Sequence, residues 1–97
     1  MPTFPLTLQK TYHKMGFFNV GVTWDRYVRK TEGPVRIRLG HDGPEIEGRV
    51  DRHANQNGSA RVMGGASLKR WFQANFAPLD RVSVDLSSED VIVLDRE

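Results

Sequence analysis

Val35-Arg36-Ile37-Arg38-Leu39, a turn from Gly40 to Pro44, and then Glu45-Ile46-Glu47-Gly48-Arg49-Val50 form the stretch that decides the fold of this chain. Side chains alternate across an extended backbone, so Val35, Ile37 and Leu39 share one face and Arg36 and Arg38 the other. Ile46, Gly48 and Val50 alternate with Glu47 and Arg49 in the same way. The Asn57-Gly58 turn signal follows, and Ser59 to Met63 then completes a hairpin from Glu45 to Met63 with a long polar tip.

The same period continues outward. Leu6 and Leu8 alternate with Thr7 and Gln9 in a first strand, and Phe17 to Val22 reads as a second. Val82, Val84 and Leu86 alternate again, while Val91 to Leu94 is a continuous apolar run suited to a strand buried on both faces. Gly16, Gly33-Pro34, Gly64-Gly65 and Pro78 punctuate these segments. Two segments break the rhythm. Thr23 is placed to cap a short helix carrying Trp24, Tyr27 and Val28, and Ser67 another with Leu68, Trp71, Phe72 and Asn75 on one stripe and Phe76 beside it. Lys69 and Arg70 point away from that stripe, and both tryptophans read as core plugs. The expected fold is mainly β with two short helices: a seven-stranded open pseudobarrel in the order β-β-α-β-β-β-α-β-β.

At 97 residues the chain is one domain, residues 1–97, with room for one modest core. It has no cysteine, which removes disulfides, thiol nucleophiles and cysteine metal sites. No apolar run approaches the roughly 18 residues of a membrane span, and Met1 to Lys10 lacks the pattern of a secretory leader. A soluble, cytoplasmic, nucleoid-associated protein is expected. Met1 to Ala77 carries twelve Lys and Arg against six Asp and Glu, and Pro78 to Glu97 two against six. A basic body with an acidic tail suggests a polyanionic partner on one side.

Catalytic patterns are sparse. His13, His41 and His53 form no H-x-x-x-H or H-E-x-x-H spacing, and the carboxylates show no metal-binding spacing, so neither a metal nor another cofactor is expected. Gly40-His41-Asp42-Gly43 is a turn with no Lys-Ser or Lys-Thr after it. Asp51 and His53 share one strand face and could orient an imidazole, but Ser59 and Ser67, the nearest nucleophiles, lie outside any G-x-S-x-G. A small hydrolase or nuclease built on Asp51 and His53 is the third-ranked reading, and the chain is expected not to be an enzyme.

Two polar loops say more. Lys10, Tyr12, His13 and Lys14 cluster between the first two strands, and Arg52, His53, Asn55, Gln56, Asn57, Ser59 and Arg61 cluster at the hairpin tip. Arginine reads guanine edges, and asparagine or glutamine reads adenine, while lysine, serine and arginine on the flanks hold phosphates. Asn57 also serves a tight turn and Asn55 can bond its own loop, whereas Gln56 has no special turn role.

With these elements in order, the chain resembles the DNA-binding pseudobarrel of the B3 superfamily, which includes plant B3 domains and recognition domains of restriction endonucleases of the EcoRII and BfiI kind. Phe17-Phe18-Asn19-Val20-Gly21-Val22 followed by Trp24 to Arg29 looks like that family's second strand and first helix. Ser59-Ala60-Arg61-Val62-Met63, Gly64-Gly65 and Leu68 to Phe76 look like its fifth strand and second helix. Leu79-Asp80-Arg81-Val82-Ser83-Val84 is similar to the following stretch, with Leu79 where the family has glycine. The resemblance implies two arms gripping duplex DNA from the major groove, an amino-terminal arm at residues 10–16 and a carboxy-terminal arm at residues 52–61. The leading expectation is a monomeric, non-catalytic, sequence-specific double-stranded DNA-binding module of a bacterial restriction-modification, defence or regulatory system. The second is a barrel that binds RNA, single strands or protein, with Tyr12, Phe17 and Phe18 as stacking surfaces.

Overall fold

A computed structural model describes residues 2–86 and 88–97. Its strands are β1 (Thr3–Thr7), β2 (Phe17–Asn19), β3 (Gly33–Leu39), β4 (Glu45–Asp51), β5 (Arg61–Met63), β6 (Arg81–Asp85) and β7 (Val91–Arg96), with helices α1 (Lys10–Met15) and α2 (Gly65–Asn75). They form one curled, open seven-stranded sheet in the order β1-β6-β7-β3-β4-β5-β2. Every pairing is antiparallel except β3 with β7.

The period-two pattern does what it predicts. Val35, Ile37 and Leu39 of β3 and Val50 of β4 are buried, while Pro34, Arg36, Glu47 and Arg49 are exposed. Phe4 and Leu6 from β1, Val62 from β5, Val82 and Val84 from β6 and Ile92 and Leu94 from β7 join them in one core, closed by Leu68 and Phe72 of α2. Burying each such side chain contributes roughly 1.5–3 kcal/mol. Pro5 sits on β1, an edge strand, where its missing N–H breaks no ladder. Both tryptophans are half-buried against this core: Trp24 stacks on Phe4 at 5.2 Å between ring centroids, and Trp71 meets Phe76 edge-on.

Four expectations are corrected. The amino-terminal arm is not a loop but helix α1, ended by Gly16 in the left-handed conformation at φ 78°. Gly16 is also where α1 meets α2: its carbonyl accepts Gly64 N–H at 3.0 Å, and a Cβ there would come within 2.8 Å of the Lys69 nitrogen. The helix expected over Trp24 to Val28 is a single 3-10 turn, Asp25–Tyr27, because Val28 returns to extended backbone. In β7 only Ile92 and Leu94 are buried; Val91 and Val93 are half-buried, since both helices lie elsewhere on the sheet. Helix α2 starts at Gly65, ahead of the Ser67 cap foreseen. Leu79, standing where a glycine was noted in the resembling family, adopts φ 75°.

Candidate nucleic-acid interface

The hairpin tip between β4 and β5 is built around one arginine. Arg52 Nη1 donates to both carboxylate oxygens of Asp25, at 2.8 and 3.0 Å, and to the Gly58 carbonyl. Its Nη2 donates to the carbonyls of Arg29 at 2.6 Å and Val28 at 3.4 Å, and its Nε to Arg29 at 3.2 Å. Asp25 in turn accepts the Ala60 N–H at 2.8 Å. The guanidinium thus has an acceptor at each nitrogen, and it bolts the β2–β3 connection to the tip.

Most of the other predicted tip residues are spent in the same way. Asn57 Oδ1 accepts the N–H and the hydroxyl of buried Ser59, at 3.0 and 2.7 Å, an Asx turn of the kind the Asn-Gly pair predicts. Asn55 Nδ2 donates to Asn19 Oδ1 at 3.0 Å and to the Ser59 carbonyl at 3.1 Å. Gln56 is exposed, and its side chain bonds none of the described residues.

His53 is exposed at the base of the tip, and its Nδ1 lies 2.7 Å from Glu32 Oε2. That oxygen also accepts the Arg52 N–H at 2.7 Å. The Arg52 N–H first, and the imidazole second, hold the Glu32 carboxyl down to about 2, and Glu32 raises His53 above the usual imidazole range. Asp51 accepts the His53 backbone N–H, His53 Nδ1 faces Glu32, and Ser59 Oγ donates to Asn57, so Asp51, His53 and Ser59 do not form a hydrogen-bonded triad. The ligand atoms of Glu32, Asp51 and His53 lie within 4.8 Å of one another, the grouping among the described residues that could hold a cation. Spacing missed it because Glu32 comes from a separate segment.

At the amino-terminal arm, Tyr12 packs edge-on to Phe17 at 5.3 Å and His13 Nε2 bonds the Phe76 carbonyl at 2.9 Å, so both hold α1 down. Lys10 and Lys14, one turn apart, are exposed. The two arms are not side by side. In the β2–β5 pairing Phe17 faces Met63 and Asn19 faces Arg61, so α1 enters at one end of this ribbon and the hairpin tip leaves at the other. Three residues of strand span roughly 7–10 Å.

What unites them is charge. Residues 1–24 and 52–79 contain no aspartate or glutamate. These segments supply α1, β2, the hairpin tip, β5 and α2, which pack on one another through α1–α2, α2–β2 and β2–β5 contacts. On this part of the molecule Lys10, Lys14, Lys69 and Arg70 are exposed and have no ion-pair partner among the described residues, and neither does Arg49, which lies opposite Met63 on β4. By contrast Arg36 and Arg38, on the β3–β4 face, are neutralised by Glu45. The sequence reading did not single out Lys69, Arg70 or Arg49; the absence of acids from residues 52–79 was a signal for Lys69 and Arg70, whereas Arg49 lies in the acid-bearing stretch 25–51 and is brought here by its pairing opposite Met63. Among the described residues no helix is long and apolar enough to cross a membrane. Comparison of the chain with protein-family models, curated proteins and solved structures finds no match.

Proposed function

We propose that this protein is a duplex-DNA-binding module that acts by binding rather than by catalysis. The observation that carries the reading is that the acid-free residues 1–24 and 52–79 supply α1, β2, the hairpin tip, β5 and α2, which pack on one another, and that on these elements and adjoining β4 Lys10, Lys14, Lys69, Arg70 and Arg49 have no ion-pair partner among the described residues. Unpaired cations of this number gain most from a polyanion, because each phosphate they neutralise releases condensed counterions. The surface is carried on strands and docked helices, so little ordering entropy is lost on binding. Arg61 and the exposed Gln56 contribute the side chains that read base edges. Duplex is favoured over unpaired strands because Phe17 is covered by Arg61 and packed by Tyr12, and Phe18 is buried, which leaves neither of these two rings free for base stacking.

Charge removal tests the reading. Replacing Lys10, Lys14, Lys69 and Arg70 together by alanine should weaken duplex binding by roughly a hundredfold or more at low salt, as expected for the loss of about four phosphate contacts. Replacing Arg36 and Arg38 should change it by less than about threefold. Equal effects of the two variants would show that net charge, not this surface, attracts the DNA.

A further inference from the structure

Two arginines flank the hairpin tip, and the fold treats them in opposite ways. Arg52 spends every guanidinium nitrogen on internal acceptors. Arg61 is pinned by its inner half only. Its Nε donates to Asn19 Oδ1 at 3.1 Å, and its guanidinium carbon lies 4.4 Å from the Phe17 ring centroid. Both supports are themselves fixed: Asn19 Oδ1 also accepts Asn55 Nδ2, and Phe17 is braced by Tyr12. Nη1 and Nη2 of Arg61 have no acceptor within the described protein, and no buried side-chain nitrogen or oxygen is left without a partner, so these two groups face solvent. Among the described residues no other arginine is anchored at Nε with both terminal groups unbonded.

A guanidinium held this way is a preformed fork. Its rotamer entropy is already lost in the folded protein, and its two outer N–H groups point in parallel at whatever docks. The partner that matches a planar fork is a pair of acceptors about one fork-width apart. On duplex DNA these are O6 and N7 of guanine in the major groove, or two oxygens of one phosphate. Position chooses between them. Arg61 lies on the outward face of the β4–β5–β2 ribbon, beside Met63, an apolar side chain that is 41% exposed, and opposite Asp51 of β4, whereas Lys10, Lys14, Lys69 and Arg70 are carried by α1 and α2. Phosphate contacts have free cations available on those helices; a fixed fork beside an exposed apolar side chain suits a base edge.

We propose that Arg61 reads a guanine, with Phe17 and Asn19 as its positioning residues. The inference rests on the duplex-DNA reading. The experiment begins with selection from a random duplex pool by the wild-type protein, followed by binding of the enriched duplex with each guanine replaced in turn by 7-deazaguanine, which lacks the N7 acceptor. One replacement should weaken wild-type binding roughly ten- to hundredfold. R61K keeps the charge and loses the fork, so it should be insensitive to that same replacement and should no longer enrich that guanine. An enriched site indifferent to every 7-deazaguanine, or an R61K protein that still enriches the same guanine, would overturn the assignment of Arg61 while leaving duplex binding intact. Failure of the wild-type protein to bind random duplex at low salt would overturn the duplex reading and this inference together.

Discussion

Arg52 and Arg61 are indistinguishable by residue type: both are basic and both border the same loop. What separates them is the acceptor set, and for Arg52 this comes from Asp25, Val28 and Arg29, more than twenty residues upstream. No local pattern predicts that convergence, so residue type alone could not tell that Arg52 is held by internal acceptors while Arg61 keeps its outer nitrogens free of them. Arg52→Ala leaves Asp25 and three carbonyls without their donor in a part-buried site, and should cost about 2–4 kcal/mol. Arg61→Ala removes one bond and a partly exposed ring contact, and should cost less than about 1 kcal/mol. Denaturant melts of the two variants check this; equal losses would mean that Arg61 is also a structural bolt. The Glu32–His53 pair has its own pH signature. His53 is raised above 6.5, so its contribution is complete below that value and is lost as pH rises through the raised one. Glu32 is lowered from 4.5 to about 2, so its contribution is present above 4.5 and is lost as pH falls toward 2. The stability difference between wild type and His53→Ala should therefore be greatest between about pH 4.5 and 6.5 and shrink on either side. A difference that grows above pH 7 in thermal melts would contradict the ion pair.

At the level of elements, strands were legible and short helices were not. Alternation over Val35–Leu39 and over Val82–Leu86 reports a buried face directly, since a strand needs only that pattern and neighbours to pair with. Six-residue α1 has no such signature. A helix that short is marginal in isolation, and this one lacks a side-chain cap, so its stability comes from docking on α2. The Trp24, Tyr27, Val28 spacing fits a helix, yet Asp25 is drawn to Arg52 and Ala60, and the chain runs straight on at Val28. The α1–α2 contact depends on Gly16, whose positive φ and close approach to the backbone of α2 both exclude a side chain. Gly16→Ala should destabilise the protein by about 2–4 kcal/mol, read as a fall in the melting temperature, and should weaken duplex binding by displacing Lys10 and Lys14. Retention of both properties would show that α1 is not fixed by this contact.

Over the whole molecule, the mainly β class and the seven-strand open barrel could be read from the chain, but the sheet order could not. The β3–β7 parallel pair joins segments separated by three other strands, and nothing local encodes it. Charge asymmetry was visible as a basic body and an acidic tail, although the distribution in the fold is finer than that division. The acids concentrate on residues 25–51 and 80–97; of the remaining segments the fold packs α1, β2, the hairpin tip, β5 and α2 on one another with cations left over, while β1 pairs with β6. Duplex-DNA binding by this surface is what we propose. Its most direct test is a titration of fluorescent random-sequence duplex across a salt series, with single-stranded DNA and RNA as comparators. Duplex should bind tightest, with log affinity falling against log salt at a slope of roughly −4 to −5, as about five phosphate contacts require. No binding at low salt, or equal binding of single strands, would contradict the account.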